Sequence, residues 1–129
     1  MSMNENWLIE KKDWAIVLSL RGEFGLDRVN ELSSYINDHM DIHSDESIVI
    51  DLKAVDYMDS MALGVLINLY RLFKEKSGSV YLLNPSPTLE KIFKHSGFYN
   101  VFGIYKSEAL LKKHIELVSQ EAESKDEEE

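Results

Sequence analysis

Apolar and polar residues alternate along this chain in blocks that read as short strands and helices. Trp7 to Lys11 and Trp14 to Leu20 have strand length and are separated only by Lys12 and Asp13. The second run is apolar nearly throughout, the pattern of a central strand buried on both faces. Gly22 and Gly25 then predict a turn. Between Asp27 and His43 the residues Val29, Leu32, Ile36 and Met40 recur at helical spacing, with Asp27 as the expected N-cap. Ile48 to Leu52 is a β-branched run of strand length, and Lys53 to Ser60 is expected to connect it to the next helix.

That helix, Met61 to Lys76, is apolar almost all round in its first half, as expected of a helix buried against a sheet. Asp59-Ser60 supplies its start signal and Ser77-Gly78 its stop. Ser79 to Leu83 predicts another strand. After Asn84-Pro85-Ser86-Pro87, Thr88 is placed as the cap of a short helix carrying Leu89, Ile92 and Phe93 and ending at Gly97. Val101 to Tyr105 is the last expected strand, and Ser107 caps a final helix with Leu110, Leu111, His114, Ile115 and Val118. The order β-β-α-β-α-β-α-β-α implies an α/β domain: an opening hairpin, then helical crossovers building a mixed, mostly parallel sheet with packed helices.

Composition narrows the possibilities. A chain of 129 residues has room for one domain with a sizeable core, here set at residues 1–118. It contains no cysteine, which excludes thiol catalysis and cysteine-ligated zinc. Of the net charge of −9, the stretch from Glu116 to Glu129 carries −6, with seven acids and one lysine. Residues 119–129 are therefore expected to form a disordered acidic tail. No basic stripe offers itself to nucleic acid. No apolar run approaches the ~18 residues of a membrane span, and the polar N-terminus lacks a signal-like segment, so a cytoplasmic location without membrane insertion is expected.

In a largely parallel sheet, function concentrates beyond the carboxyl ends of the strands. That directs attention to the junction before the buried helix: Asp56, Met58, Asp59, Ser60, Met61, Ala62, Leu63 and Gly64. Asp59 and Ser60 lie where a helix has unpaired N–H groups and a positive dipole end. Such a position suits a capping residue first, and a phosphorylated hydroxyl second.

The run Ile48-Val49-Ile50-Asp51-Leu52, followed by Val55-Asp56-Tyr57-Met58-Asp59-Ser60-Met61-Ala62-Leu63-Gly64-Val65-Leu66, resembles the signature of STAS domains. In that signature an apolar strand ends in Asp-Leu and precedes Met-Asp-Ser-Ser/Thr/Ala-Gly-Leu-Gly-Val-Leu. Gly22-Glu23-Phe24, Pro85-Ser86-Pro87 and Ile92-Phe93-Lys94-His95-Ser96-Gly97-Phe98 resemble three further family features, so the likeness runs from about Trp7 to Val118. Among STAS proteins the chain is most similar to bacterial anti-sigma factor antagonists. The resemblance implies a non-enzymatic regulatory domain without cofactor or metal. Its partner would be a serine-kinase-like anti-sigma factor, or a related switch protein, that phosphorylates the hydroxyl just before the first motif glycine. Here Met61 occupies that acceptor position and Ala62 the first glycine, while Asp59, Ser60, Leu63 and Gly64 match. The acidic residue that often follows Gly-Glu-Leu is replaced by Gly25, with Asp27 two residues on. The resemblance thus implies a retained docking surface and an altered switch, with Ser60 as a cap or a displaced acceptor. A STAS subunit docking on a transporter ATPase or a signalling scaffold is the alternative. Neither reading defines an oligomeric state.

Other constellations are weaker. His39 and His43, with Asp41 and Asp45 nearby, sit at a helix end without a zinc-protease pattern and read as a solvated terminus. Asp51 and Asp56 lack the acidic cluster that a receiver domain would carry after its first strand. His95, His114, Trp7 and Trp14 read as packing or surface residues. No Gly-rich phosphate loop, Ser-His-Asp set or nucleophile elbow is present.

Overall fold

Two strands with apolar residues on both faces organise everything else. In the computed structural model, which describes residues 2–3, 6–39, 46–77, 79–97 and 103–128, these are β3 (Ile16–Phe24) and β4 (Ser47–Met58), paired in parallel. The chain enters through β1 (Ser2–Met3) and β2 (Trp7–Lys11), which pair antiparallel with each other and with β3. Beyond β4 follow β5 (Ser79–Leu83) and β6 (Gly103–Tyr105), both parallel. Spatial order equals sequence order across six strands. The helices are α1 (Leu26–His39), α2 (Ser60–Ser77), α3 (Pro87–His95) and α4 (Glu108–Glu128).

Strand alternation assigns the helices to faces. Ile16, Leu18, Leu20, Ile48, Ile50, Leu52, Val80 and Leu82 join the larger core with residues of α1, α2 and α3. Val17, Val49 and Leu83 point the other way, into a smaller core closed by Leu111 and Ile115 of α4. Trp14, Tyr81 and Tyr105 pack against this second core, and the rings of Tyr81, Tyr105 and His114 form a triangle with centroid distances of 5.8, 5.7 and 5.5 Å. The all-round apolar start of α2 is accounted for by Ala62, Leu63, Leu66, Ile67 and Leu69, all buried in the larger core.

Several boundaries differ from the sequence expectation, each for a local reason. Gly22 is not a turn residue: it lies inside β3 at φ +82°, where the register against β4 slips twice, between Ser19 and Arg21 and between Gly22 and Glu23. A residue without Cβ takes that conformation at least cost, so β3 continues through it, while the extra residue at each slip lies in β4. The segment after Leu52 is likewise strand up to Met58 and not a connection. Only Val55 and Met58 are buried along it, a spacing of three that two-residue periodicity does not register. Gly25, and not Asp27, holds the capping position of α1, its carbonyl accepting from the Val29 N–H at 3.1 Å. Ser86, and not Thr88, caps α3, accepting from the Leu89 N–H at 3.2 Å, because Pro87 fits the first helical position, where no N–H is needed. Ser107 caps α4 as expected, at 3.3 Å from the Leu110 N–H.

Helix α4 runs to Glu128, through the segment expected to be disordered. Its Glu, Gln, Ala and Lys residues are good helix formers, a propensity that composition-based disorder arguments leave out. Met40, His43, Val101 and Phe102 lie outside the described residues.

Leu66 is 1% exposed within the larger core. Leu66→Ala should lower the unfolding free energy by about 2–5 kcal/mol in chemical denaturation. Among the α4 residues whose burial is described, Ile115 is the last buried one, and removing residues 120–129 should leave Tm nearly unchanged. A fall beyond roughly 4 °C would show that the acidic end of the helix packs on the domain.

Candidate functional site

The two register slips carry β3 and β4 to a common end, where Phe24 pairs with Met58. The residues that follow, Gly25 and Asp59, each start a helix, and those two starts lie side by side. A Cβ added to Gly25 would stand 3.4 Å from Oδ2 of Asp59. Asp59 caps α2: its Oδ1 accepts from the Ala62 N–H at 2.7 Å, and its carbonyl from the Leu63 N–H at 2.9 Å. The capping role is thus filled by Asp59, and Ser60 is an exposed residue beginning the first turn.

Beside this pair lies an open cleft of about 640 Å³ lined by Asn6, Glu23, Gly25, Asp27, Arg28, Glu31 and Asp59. Four carboxylates face one guanidinium there, so the cleft carries a formal charge of −3 and favours cationic groups. Arg28 does not simply neutralise it. Its guanidinium donates to the Glu23 carbonyl and sits 5.8 Å from the centroid of the Phe24 ring, bracing the end of β3.

The motif divides by face. Asp56, Ser60 and Gly64 are exposed, Tyr57 is 54% exposed and Met61 64% exposed. Met58, Ala62 and Leu63 are buried in the larger core and hold α2 in place; they offer nothing to a partner. Tyr57 was not singled out from the sequence, although a large aromatic among polar residues late in a strand was the available signal. Glu31 and Arg28 were missed because only the turn between β3 and α1 brings them to Asp59. Asp51 accepts from the Lys53 N–H at 3.0 Å, a local contact within β4 where its register against β3 slips.

A larger depression of about 920 Å³ opens at the opposite end of the sheet, around Trp14, Lys112 and Gln120. Two of its lysines are already paired, Lys11 with Glu46 at 3.3 Å and Lys12 with Glu108 at 3.6 Å. It therefore lacks the one-sided field of the Asp59 cleft. Among the described residues no group of three or more His, Asp or Glu side chains could hold a metal ion, and no helix is long and apolar enough to cross a membrane.

The chain is a small α/β domain with a mixed, mostly parallel sheet, helices packed on both faces and an exposed strand–helix junction at the carboxyl end of a central strand. The STAS domain family model matches residues 6–111, and the chain belongs to that family. It is similar to an anti-sigma F factor antagonist of Paenibacillus polymyxa, 26% identical over 91% of this chain and all of that one. Its fold matches that of the unphosphorylated anti-sigma factor antagonist SpoIIAA with a TM-score of 0.62, covering 83% of this chain and 94% of that one at 24% identity. An anti-sigma factor antagonist from Mycobacterium paratuberculosis matches at a TM-score of 0.68, over 86% of this chain and 93% of that one at 20% identity. The chain is an anti-sigma factor antagonist-like STAS domain.

Gly64 stands in the second turn of α2, exposed, with nothing within 4 Å of an added Cβ. Gly64→Ala should raise stability by about 0.4–1 kcal/mol, since helix interiors favour alanine. A loss of stability in thermal or chemical unfolding would show that the added methyl meets an obstacle there.

Proposed function

We propose that this domain binds a serine-kinase-like anti-sigma factor through the junction of β4 with α2 and the adjoining acidic cleft, and that phosphorylation at the family's usual position does not control the binding. The observation that carries the reading is Met61. By the resemblance of its motif it stands at the family's acceptor position, it is 64% exposed, and its thioether cannot accept a phosphoryl group.

Other features support a binding site over a catalytic one. The carboxylate of Asp59 is engaged as a cap and the guanidinium of Arg28 as a brace, so both serve to shape the surface. Tyr57 and Met61 supply apolar contact area beside a cleft of charge −3. A complementary partner would bring an apolar socket and a basic side chain. Binding would then follow the concentrations of the two proteins, in the cytoplasm where sigma factors act. Ser60 is the other hydroxyl to consider. A dianion there would gain about 1 kcal/mol from the helix dipole, offset by the neighbouring carboxylates of Asp59 and the cleft.

The test is phosphate incorporation from labelled ATP, using the anti-sigma F factor of Paenibacillus polymyxa as kinase, together with its affinity for each variant. Wild type and Ser60→Ala should bind and remain unlabelled, whereas Met61→Ser should become labelled. Stoichiometric labelling of wild type that disappears in Ser60→Ala would make Ser60 the switch and overturn the proposal. Ala62 needs no change in this experiment. Its methyl faces the core, so Ala62→Gly would cost about 1 kcal/mol of helix stability without opening the docking surface.

A further inference from the structure

Met58 and Met61 lie three residues apart and meet opposite surroundings. Met58 is 2% exposed, sealed between sheet and helices, while Met61 is 64% exposed. Thioether oxidation follows access, so an oxidant reaching this junction meets Met61 first. The side chain also stands in the first turn of α2, on the surface assigned above to partner docking.

We infer that Met61 is a site of reversible oxidation by peroxides, and that its sulfoxide releases the partner. The inference rests on the docking surface proposed above. In the oxidation, a sulfur lone pair attacks one oxygen of the peroxide. The O–O bond breaks as the S–O bond forms, sulfur loses two electrons, and the departing hydroxide takes the remaining proton and leaves as water. Reduction by a methionine sulfoxide reductase with a dithiol returns the thioether, giving water and a disulfide.

The consequence follows from the two environments of the product. In the free domain the sulfoxide oxygen is hydrated and lies toward the positive end of α2, which favours its partial negative charge. Against an apolar socket the same oxygen loses water without a guaranteed donor, which opposes binding. Oxidation therefore penalises the complex and not the fold, the differential that any switch requires. It would impose a polar, hydrated group where related antagonists carry a phosphate, using a residue that a kinase cannot modify.

The test treats the full-length protein with hydrogen peroxide and follows Met58 and Met61 by peptide mass spectrometry. Binding to the anti-sigma F factor of Paenibacillus polymyxa is measured before oxidation, after oxidation, and after reductase treatment. Met61 should oxidise about tenfold or more faster than Met58. Affinity should fall about tenfold or more, as for loss of a central interface contact, and return on reduction, with Tm unchanged throughout. Met61→Leu, whatever its own basal affinity, should keep that affinity unchanged through peroxide treatment, and Met61→Gln should bind more weakly than Met61→Leu by about the factor that separates the sulfoxide from the reduced protein. Equal oxidation rates at the two methionines, unchanged affinity of the Met61 sulfoxide, or equal peroxide sensitivity in Met61→Leu would each overturn the inference. Failure of the reduced protein to bind would overturn the docking surface itself, and the switch with it.

Discussion

The parallel pairing of β3 with β4 is the constraint on which the rest of this domain depends. Both strands are buried on two faces, so each must alternate residues into two cores at once, and a slip of one residue would exchange them. The pair then continues past the body of the sheet, from Ser19 opposite Asp51 to Phe24 opposite Met58, through two register shifts. Those shifts are what deliver two helix starts to one place. Without them, Gly25 and Asp59 would not meet and the acidic cleft would not exist.

The exposed side of that junction is polar and sparsely packed, whereas the buried side is rigid. Met58, Ala62 and Leu63 lock the strand end and the first turn of α2 into the larger core, and Asp59 ties the turn with a hydrogen bond of 2.7 Å. Tyr57, Ser60, Met61 and Gly64 are displayed from this base. Side chains displayed from a preorganised backbone limit the ordering cost of any association. Gly64 fits the same logic: a residue that sacrifices helix propensity on an exposed face leaves the backbone open to close approach.

The charge distribution separates two ends of the molecule. The Asp59 cleft is one-sidedly acidic, while the depression near Trp14 has its lysines paired with Glu46 and Glu108. Helix α4 joins that second region to its core through Leu111 and Ile115.

Much of this was legible in the sequence. Hydrophobic periodicity placed β2 and β5 at their observed limits and identified α2 as the core helix, because burial on all sides leaves a continuous apolar run that no other environment tolerates. The Asp59 to Gly64 motif and the unusual Met61 were visible as residue types in a row. The end of β4 was not, because from Lys53 onward its burial follows a bulged spacing of three and its residues are largely polar. Nor was the cap of α3, where a proline at the first helical position displaced the start by two residues. The helical course of the acidic end also escaped, since composition reports the lack of a packing face and says nothing of backbone propensity. What the tertiary structure alone decided is which motif residues face out and what stands beside them. Burial of Met58, Ala62 and Leu63 against exposure of Tyr57, Ser60 and Met61 is set by the angle at which α2 leaves β4. The company of Glu23, Arg28 and Glu31 around Asp59 is set by a strand pairing between segments some thirty residues apart. Linear pattern encodes the periodicity of burial within an element; the meeting of two loops depends on register between elements, which only the folded sheet fixes.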